Sequence, residues 1–192
     1  MLKYLRNIIQ LIFSPTSGWE DLAESDLRED ESRGDISIRM LFTTCFLPLI
    51  TIVSLTSFLR MFYNGGPDFL QALQQGIIEF FSLFLSYYLA IYIFSLLLPR
   101  VIDQESPVDQ RRGILLVMYS LSVIAIIYLL GNIIKVRLAL IQFLPFYVIY
   151  IIWKGADYIG VPERNVGAFM LVASGAILGA VYGLSFLFSI LV

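Results

Sequence analysis

Hydrophobic positions along this chain form one short periodic stretch, followed by long runs that are apolar on every face. From Met1 to Phe13 the period is helical. Leu2, Leu5, Ile9 and Ile12 share a stripe, Ile8 and Leu11 lie beside it, and Lys3, Arg6, Asn7 and Gln10 fall largely opposite. A basic amphipathic helix in the membrane interface fits this pattern, and so does a helix packed beneath its own cytoplasmic domain. Ser14-Pro15 ends it, since proline lacks a backbone donor and turns the preceding residue away from helix. Ser17 then caps a second helix starting near Trp19, with Glu20 and Asp21 complementing its dipole. From Glu20 to Asp35 eight acids stand against Arg28 and Arg33. Such a charge run is either a solvated connector or an acidic docking surface for a basic partner.

The runs that follow predict five membrane spans, at about 40–62, 76–98, 113–131, 138–153 and 166–192. Residues 1–37 then form a cytoplasmic N-terminal segment and 38–192 a transmembrane domain, an all-α five-helix bundle. Pro48 lies inside the first span and is expected to free a carbonyl and kink the helix. The second span carries Tyr87, Tyr88 and Tyr92; 88 and 92 share a face, and buried phenols are expected to point into the bundle. The fourth is short, at 16 residues roughly 24 Å as a helix, and contains Pro145. It either crosses, which is the expectation, or forms a re-entrant hairpin with the third. The loop 154–165, KGADYIGVPERN, leads to the last span. That span, Gly167 to Val192, has 26 uncharged residues and reaches roughly 39 Å. Gly175, Gly179 and Gly183 recur on one face, with Ala176 and Ala180 widening the strip. In lipid, close approach at small residues drives helix association. This face is expected to be where other spans, or a second copy of the chain in a homodimer, pack.

Composition strengthens this picture. Only 15% of residues are charged, against about 25% in an average soluble domain, so the class is a membrane protein before any span is drawn. With no histidine and a single cysteine, Cys45, neither an internal disulfide, a cysteine/histidine zinc site nor histidine-based nucleophilic catalysis can be built. No enzyme activity, cofactor or metal is expected. A net charge of −2 argues against nucleic acid. Lys3, Arg6, Asn7 and Gln10 interrupt the first 13 residues, so no signal-peptide core is expected there. With five spans and a cytoplasmic start, ten lysines and arginines lie inside, and Arg60, Lys135 and Arg137 outside. The N-terminus is therefore expected in the cytoplasm and the C-terminus outside.

Candidate chemistry is sparse. Within the spans only Arg60 and Glu79 are ionisable, both near the outer ends. They form either a structural interface pair or an ion or proton site assisted by Asn132 or Gln142. Asp103, Glu105 and Asp109 in one loop, and Asp157 and Glu163 in another, are spaced acids of the kind common in loops.

Ser14, Pro15 and Trp19 in IFSPTSGWEDL, Tyr119-Ser120 opening the third span, the proline in the fourth and IWKGADYIGVPERN after it resemble the prokaryotic branch of the Yip (Ypt-interacting-protein) superfamily. The likeness spreads over nearly the whole chain and includes the five-span layout. It implies a non-enzymatic protein of the plasma (inner) membrane that organises membrane or partner proteins, with an unknown protein contacting the N-terminal segment. Eukaryotic relatives carry an Asp-Leu-Tyr-Gly-Pro motif that this chain lacks, so no Rab-binding residue carries over. The rival expectation is a small transporter or channel, which needs a polar path through the bilayer.

Overall fold

A computed structural model describes residues 2–27, 34–62, 66–101, 110–134 and 139–191. Residues 28–33 of the acidic connector, Arg28 and Arg33 included, lie outside the described residues. So do Asp103, Glu105, Asp109, Lys135, Arg137 and the side chain of Gln142. The described chain is helical almost throughout. In order come α1 (Leu2–Phe13), α2 (Pro15–Leu27) and α3 (Gly34–Leu41). A π-helical stretch (Phe42–Phe46), α4 (Leu47–Thr56) and a 3-10 stretch (Ser57–Phe62) continue α3. Then follow α5 (Phe69–Val101), α6 (Gln110–Ile133), α7 (Ala139–Ile159), a short 3-10 turn (Glu163–Asn165) and α8 (Val166–Leu191).

Four helices are long and apolar enough to cross a bilayer: Ile38–Phe62, Phe69–Leu97, Gln110–Ile133 and Glu163–Leu191. The helix at the expected fourth span, α7, is not among them. Its apolar run meets Lys154 and Asp157, yet the helix continues through both, so half of the expected loop 154–165 is helical. α7 ends at Gly160, whose φ of +82° suits a residue without a side chain. There the Val161 amide donates to the Ala156 carbonyl (3.0 Å) and the Gly160 amide to that of Asp157 (3.1 Å), a Schellman closure.

Two proline effects differ from expectation. Ser14 is the only non-helical residue between α1 and α2, and Pro15 opens α2, where its missing N–H would have had no partner anyway. Ser17, the expected cap, is already inside the helix. Pro48 produces a π turn: in α register its ring would press on the Thr44 carbonyl, and instead the Leu47 amide donates to Phe42 one residue further back.

The organising helix is α6, not α8. Its apolar window is 72% buried, against 28–39% for the other three spans, and α1, α4, α5, α7 and α8 all touch it. A helix apolar on every face suits such a central place. α8 lies mainly along α5, running antiparallel: Phe94 meets Phe169 at 6.0 Å, and Ser82 meets Ser185 at 3.4 Å. Its buried face is Phe169, Ala173, Ala176, Ile177, Ala180 and Val181. The small-residue contact is thus made by alanines. Gly175, Gly179 and Gly183 lie on the neighbouring face, exposed, with nothing within 4 Å of an added Cβ.

The close approach that does need a glycine is at Gly76, buried where α5 crosses the first span. A Cβ there would lie 2.8 Å from the Ser54 carbonyl oxygen and 2.8 Å from Ser57 Oγ. Ser57 Oγ itself sits between the carbonyls of Ser54 (2.7 Å) and Ala72 (3.0 Å), tying the two helices. Gly76→Ala should therefore destabilise the fold by about 1–3 kcal/mol, read as a lowered melting temperature in detergent. Gly179→Ala, in open space, should change stability by less than about 0.5 kcal/mol.

Candidate functional site

Polar groups inside the bundle collect in two places. The first lies where the ends of the first and third spans meet α5. Glu79 is 5% exposed. Its Oε2 accepts from Asn132 Nδ2 at 2.8 Å and its Oε1 from Gln75 Nε2 at 3.1 Å. Behind Asn132 stand Thr56 Oγ1 at 3.3 Å and the Val53 carbonyl at 3.4 Å. Three helices thus converge on one carboxyl group, in surroundings where an unmatched polar atom costs several kcal/mol. Arg60, the expected ion-pair partner, sits half-buried in the 3-10 stretch and makes no direct ion pair with Glu79. The amides take that role. Gln75 was legible as the residue four before Glu79, hence on the same helical face.

The tyrosines of α5 divide differently from the expectation. Tyr87 is buried against Phe42 and Phe46, at centroid distances of 4.6 and 5.6 Å. Tyr88 and Tyr92 do share a face, but it is the outward one, and Tyr92 is 64% exposed. The inward face is occupied by Leu83, Ser86, Tyr87, Ala90 and Phe94. Ser120 is fully buried on α6, whereas Tyr88 and Tyr92 face outward.

The second polar collection pins the N-terminal helices to the bundle, and sequence reasoning missed it. Tyr4, Ile8 and Leu11 form the buried face of α1. The stripe Leu2, Leu5, Ile9 and Ile12 is the other one: Leu2 and Ile9 are exposed, Leu5 and Ile12 half-buried, and Phe13 next to them is 84% exposed. The Tyr4 hydroxyl and Ser122 Oγ are 2.6 Å apart. Ser122 spends its single proton on the Met118 carbonyl (2.8 Å), so Tyr4 is the donor. Burial pushes the Tyr4 phenol well above its usual pKa, which keeps that donor proton in place. Asn7 Nδ2 donates to the Tyr119 hydroxyl at 3.3 Å, and the Tyr147 hydroxyl to the Ile12 carbonyl at 2.7 Å.

Trp19 on α2 completes the anchor. Its Nε1 donates to the Ile151 carbonyl at 2.9 Å and its ring stacks on Tyr158 at 5.1 Å. Gly155 makes room for it: a Cβ there would lie 2.5 Å from Leu116 Cδ1 and 3.2 Å from the indole. Arg112 caps the stack, 5.5 Å above the Tyr158 ring, with Nη1 donating to the Tyr158 carbonyl at 3.1 Å. α1 and α2 are therefore a fixed part of the bundle.

A helical bundle with four helices long and apolar enough to span a bilayer, and with large apolar side chains outward, is an integral, multi-pass membrane protein. The Yip1 domain matches residues 9–187, and the chain belongs to that family. No curated protein and no solved structure matches it.

Asn132→Leu removes the nearest donor to a buried carboxyl group. It should lower stability by about 1–3 kcal/mol, whereas Glu79→Gln, which keeps hydrogen-bonding capacity, should cost less. Thermal unfolding of both variants in one detergent checks the order.

Proposed function

We propose that this protein is a non-enzymatic organiser of the membrane, with the N-terminal hairpin of α1 and α2 as its contact region for the bilayer and for a partner protein. The observation that carries this reading is the double character of α1. One face, Tyr4, Ile8 and Leu11, is buried, with Tyr4 bonded to Ser122 on α6 and the Ile12 carbonyl to Tyr147 on α7, while Leu2, Ile9 and Phe13 project outward with Lys3 and Arg6 beside them. A rigidly held amphipathic helix of this kind wedges into one leaflet. Family membership supports a protein of the Yip type, and the likeness to its prokaryotic branch points to the plasma (inner) membrane.

Five crossings complete the proposal. α7 runs back along α6, from the connection after Ile133 to Gly155 beside Leu116, and so spans nearly the depth that α6 does. The lysine and arginine bias then sets the N-terminus in the cytoplasm and the C-terminus outside. The open ridge of Gly175, Gly179 and Gly183 is assigned to a second copy of the chain. One observation favours a second function, a small ion or solute transporter: the buried Glu79–Asn132 pair, whose carboxyl group could relay a proton.

One reconstitution separates the two. Liposomes carrying the wild type should show a changed size distribution by electron microscopy. Leu2→Ser/Ile9→Ser/Phe13→Ser should abolish that change without altering the melting temperature by more than a few degrees. Proton flux should be the same in the wild type and Glu79→Gln. Unchanged vesicles together with Glu79-dependent flux would replace the organiser by the transporter.

A further inference from the structure

A cavity of about 240 Å³ lies between the N-terminal hairpin, the π turn of the first span and the start of α6. Its charged lining among the described residues is Lys3 and Arg111. Asn7, Ser25, Thr44 and the phenols of Tyr4 and Tyr119 add polar groups, and Leu22, Ile38, Leu41 and Leu115 an apolar floor. The volume is several times the roughly 30 Å³ of a water molecule, enough for a phosphate with a small polyol attached.

The π turn is an independent pointer. π turns within α-helices occur frequently at functional sites, because the widened backbone re-aims side chains. Here the widening places Thr44 and Cys45 in the cavity wall. Exposed apolar side chains flank the cavity. Met40 lines the cavity while 63% exposed, and Leu2, next to Lys3, is more exposed still. A recess bearing Lys3 and the Asn7 amide, with apolar side chains beside it, suits an amphiphile whose anionic end enters and whose chains stay outside.

We propose that this cavity holds the phosphate-bearing headgroup of an anionic phospholipid from the leaflet beside α1. Lys3 supplies the charge, Asn7 a hydrogen bond, and Met40 and Leu2 the path for the acyl chains. Lipid access rests on the leaflet position proposed above for the hairpin. Recognition of the headgroup does not, because it can be measured in detergent.

The test is native mass spectrometry of the full chain in detergent, titrated with phosphatidylglycerol or with phosphatidylcholine, which carries the same phosphate without net charge. Each basic side chain near an anionic headgroup should favour binding by about fivefold. The wild type should therefore prefer phosphatidylglycerol by at least that factor. Lys3 is exposed in the first turn of α1, where an acid suits the dipole, so Lys3→Glu should fold normally. Lys3→Glu should lose the preference and Lys3→Arg keep it, with unchanged melting temperatures before lipid is added. Equal binding of the two lipids by the wild type, or a preference that survives Lys3→Glu, overturns the site. Glycerol phosphate that displaces the lipid at millimolar concentration overturns a lipid as the ligand in favour of a soluble phosphate compound.

Discussion

Hydrocarbon gives a polar atom nothing to bond to, and each one carried into the bilayer must bring its partner with it. That constraint accounts for the joints of this molecule. Glu79 is held between Gln75 and Asn132, Ser57 between two carbonyls of different helices, Tyr4 on Ser122 and Trp19 on the Ile151 carbonyl. Each joint connects different helices, and most of them converge on α6 or on α7 beside it. Association of apolar helices in lipid has no hydrophobic force behind it. These few directional contacts, with the close packing at Gly76 and along Ala173, Ala176 and Ala180, therefore fix which helix lies beside which.

The same constraint explains why α1 and α2 behave as part of the domain. A free amphipathic helix would be held only by partition into the interface. Here the aromatic group of Tyr4, Tyr119, Trp19 and Tyr158 interlocks α1 and α2 with α6 and α7, with ring centroids 4.9 to 6.3 Å apart. Rigidity on one face is what gives the outward strip of Leu2, Ile9 and Phe13 a defined position. A membrane-shaping role needs such a fixed wedge, and a partner protein would meet a preformed surface.

Much of the architecture could be read from the sequence, because uninterrupted apolar runs long enough to span a bilayer leave few alternatives. The all-helical class, the amphipathic character of α1, and Glu79 with Asn132 nearby were legible; the reach of α7 through Lys154 and Asp157 was not. Relations between helices were not. Gly175, Gly179 and Gly183 looked like the packing face, yet within the chain the buried residues are Ala176, Ile177, Ala180 and Val181 on the face next to it. α6 carries no one-sided pattern, so its centrality is invisible in one dimension. Leu2, Leu5, Ile9 and Ile12 are a true apolar stripe, but so are Tyr4, Ile8 and Leu11, and a phenol among the polar positions concealed the second. Pro48 signalled an irregularity without specifying a π turn.

The central claim is that directional contacts to α6 and α7, and not partition into lipid alone, hold the N-terminal hairpin. Amide hydrogen exchange in lipid nanodiscs tests it most directly, comparing the wild type with Trp19→Ala. The account predicts slow exchange throughout α1 and α2 in the wild type, and exchange faster by at least about tenfold in both helices of the variant, as loss of roughly 1.4 kcal/mol of anchoring would give. Protection in α1 and α2 that is identical in the two proteins, with α6 unchanged, would contradict it.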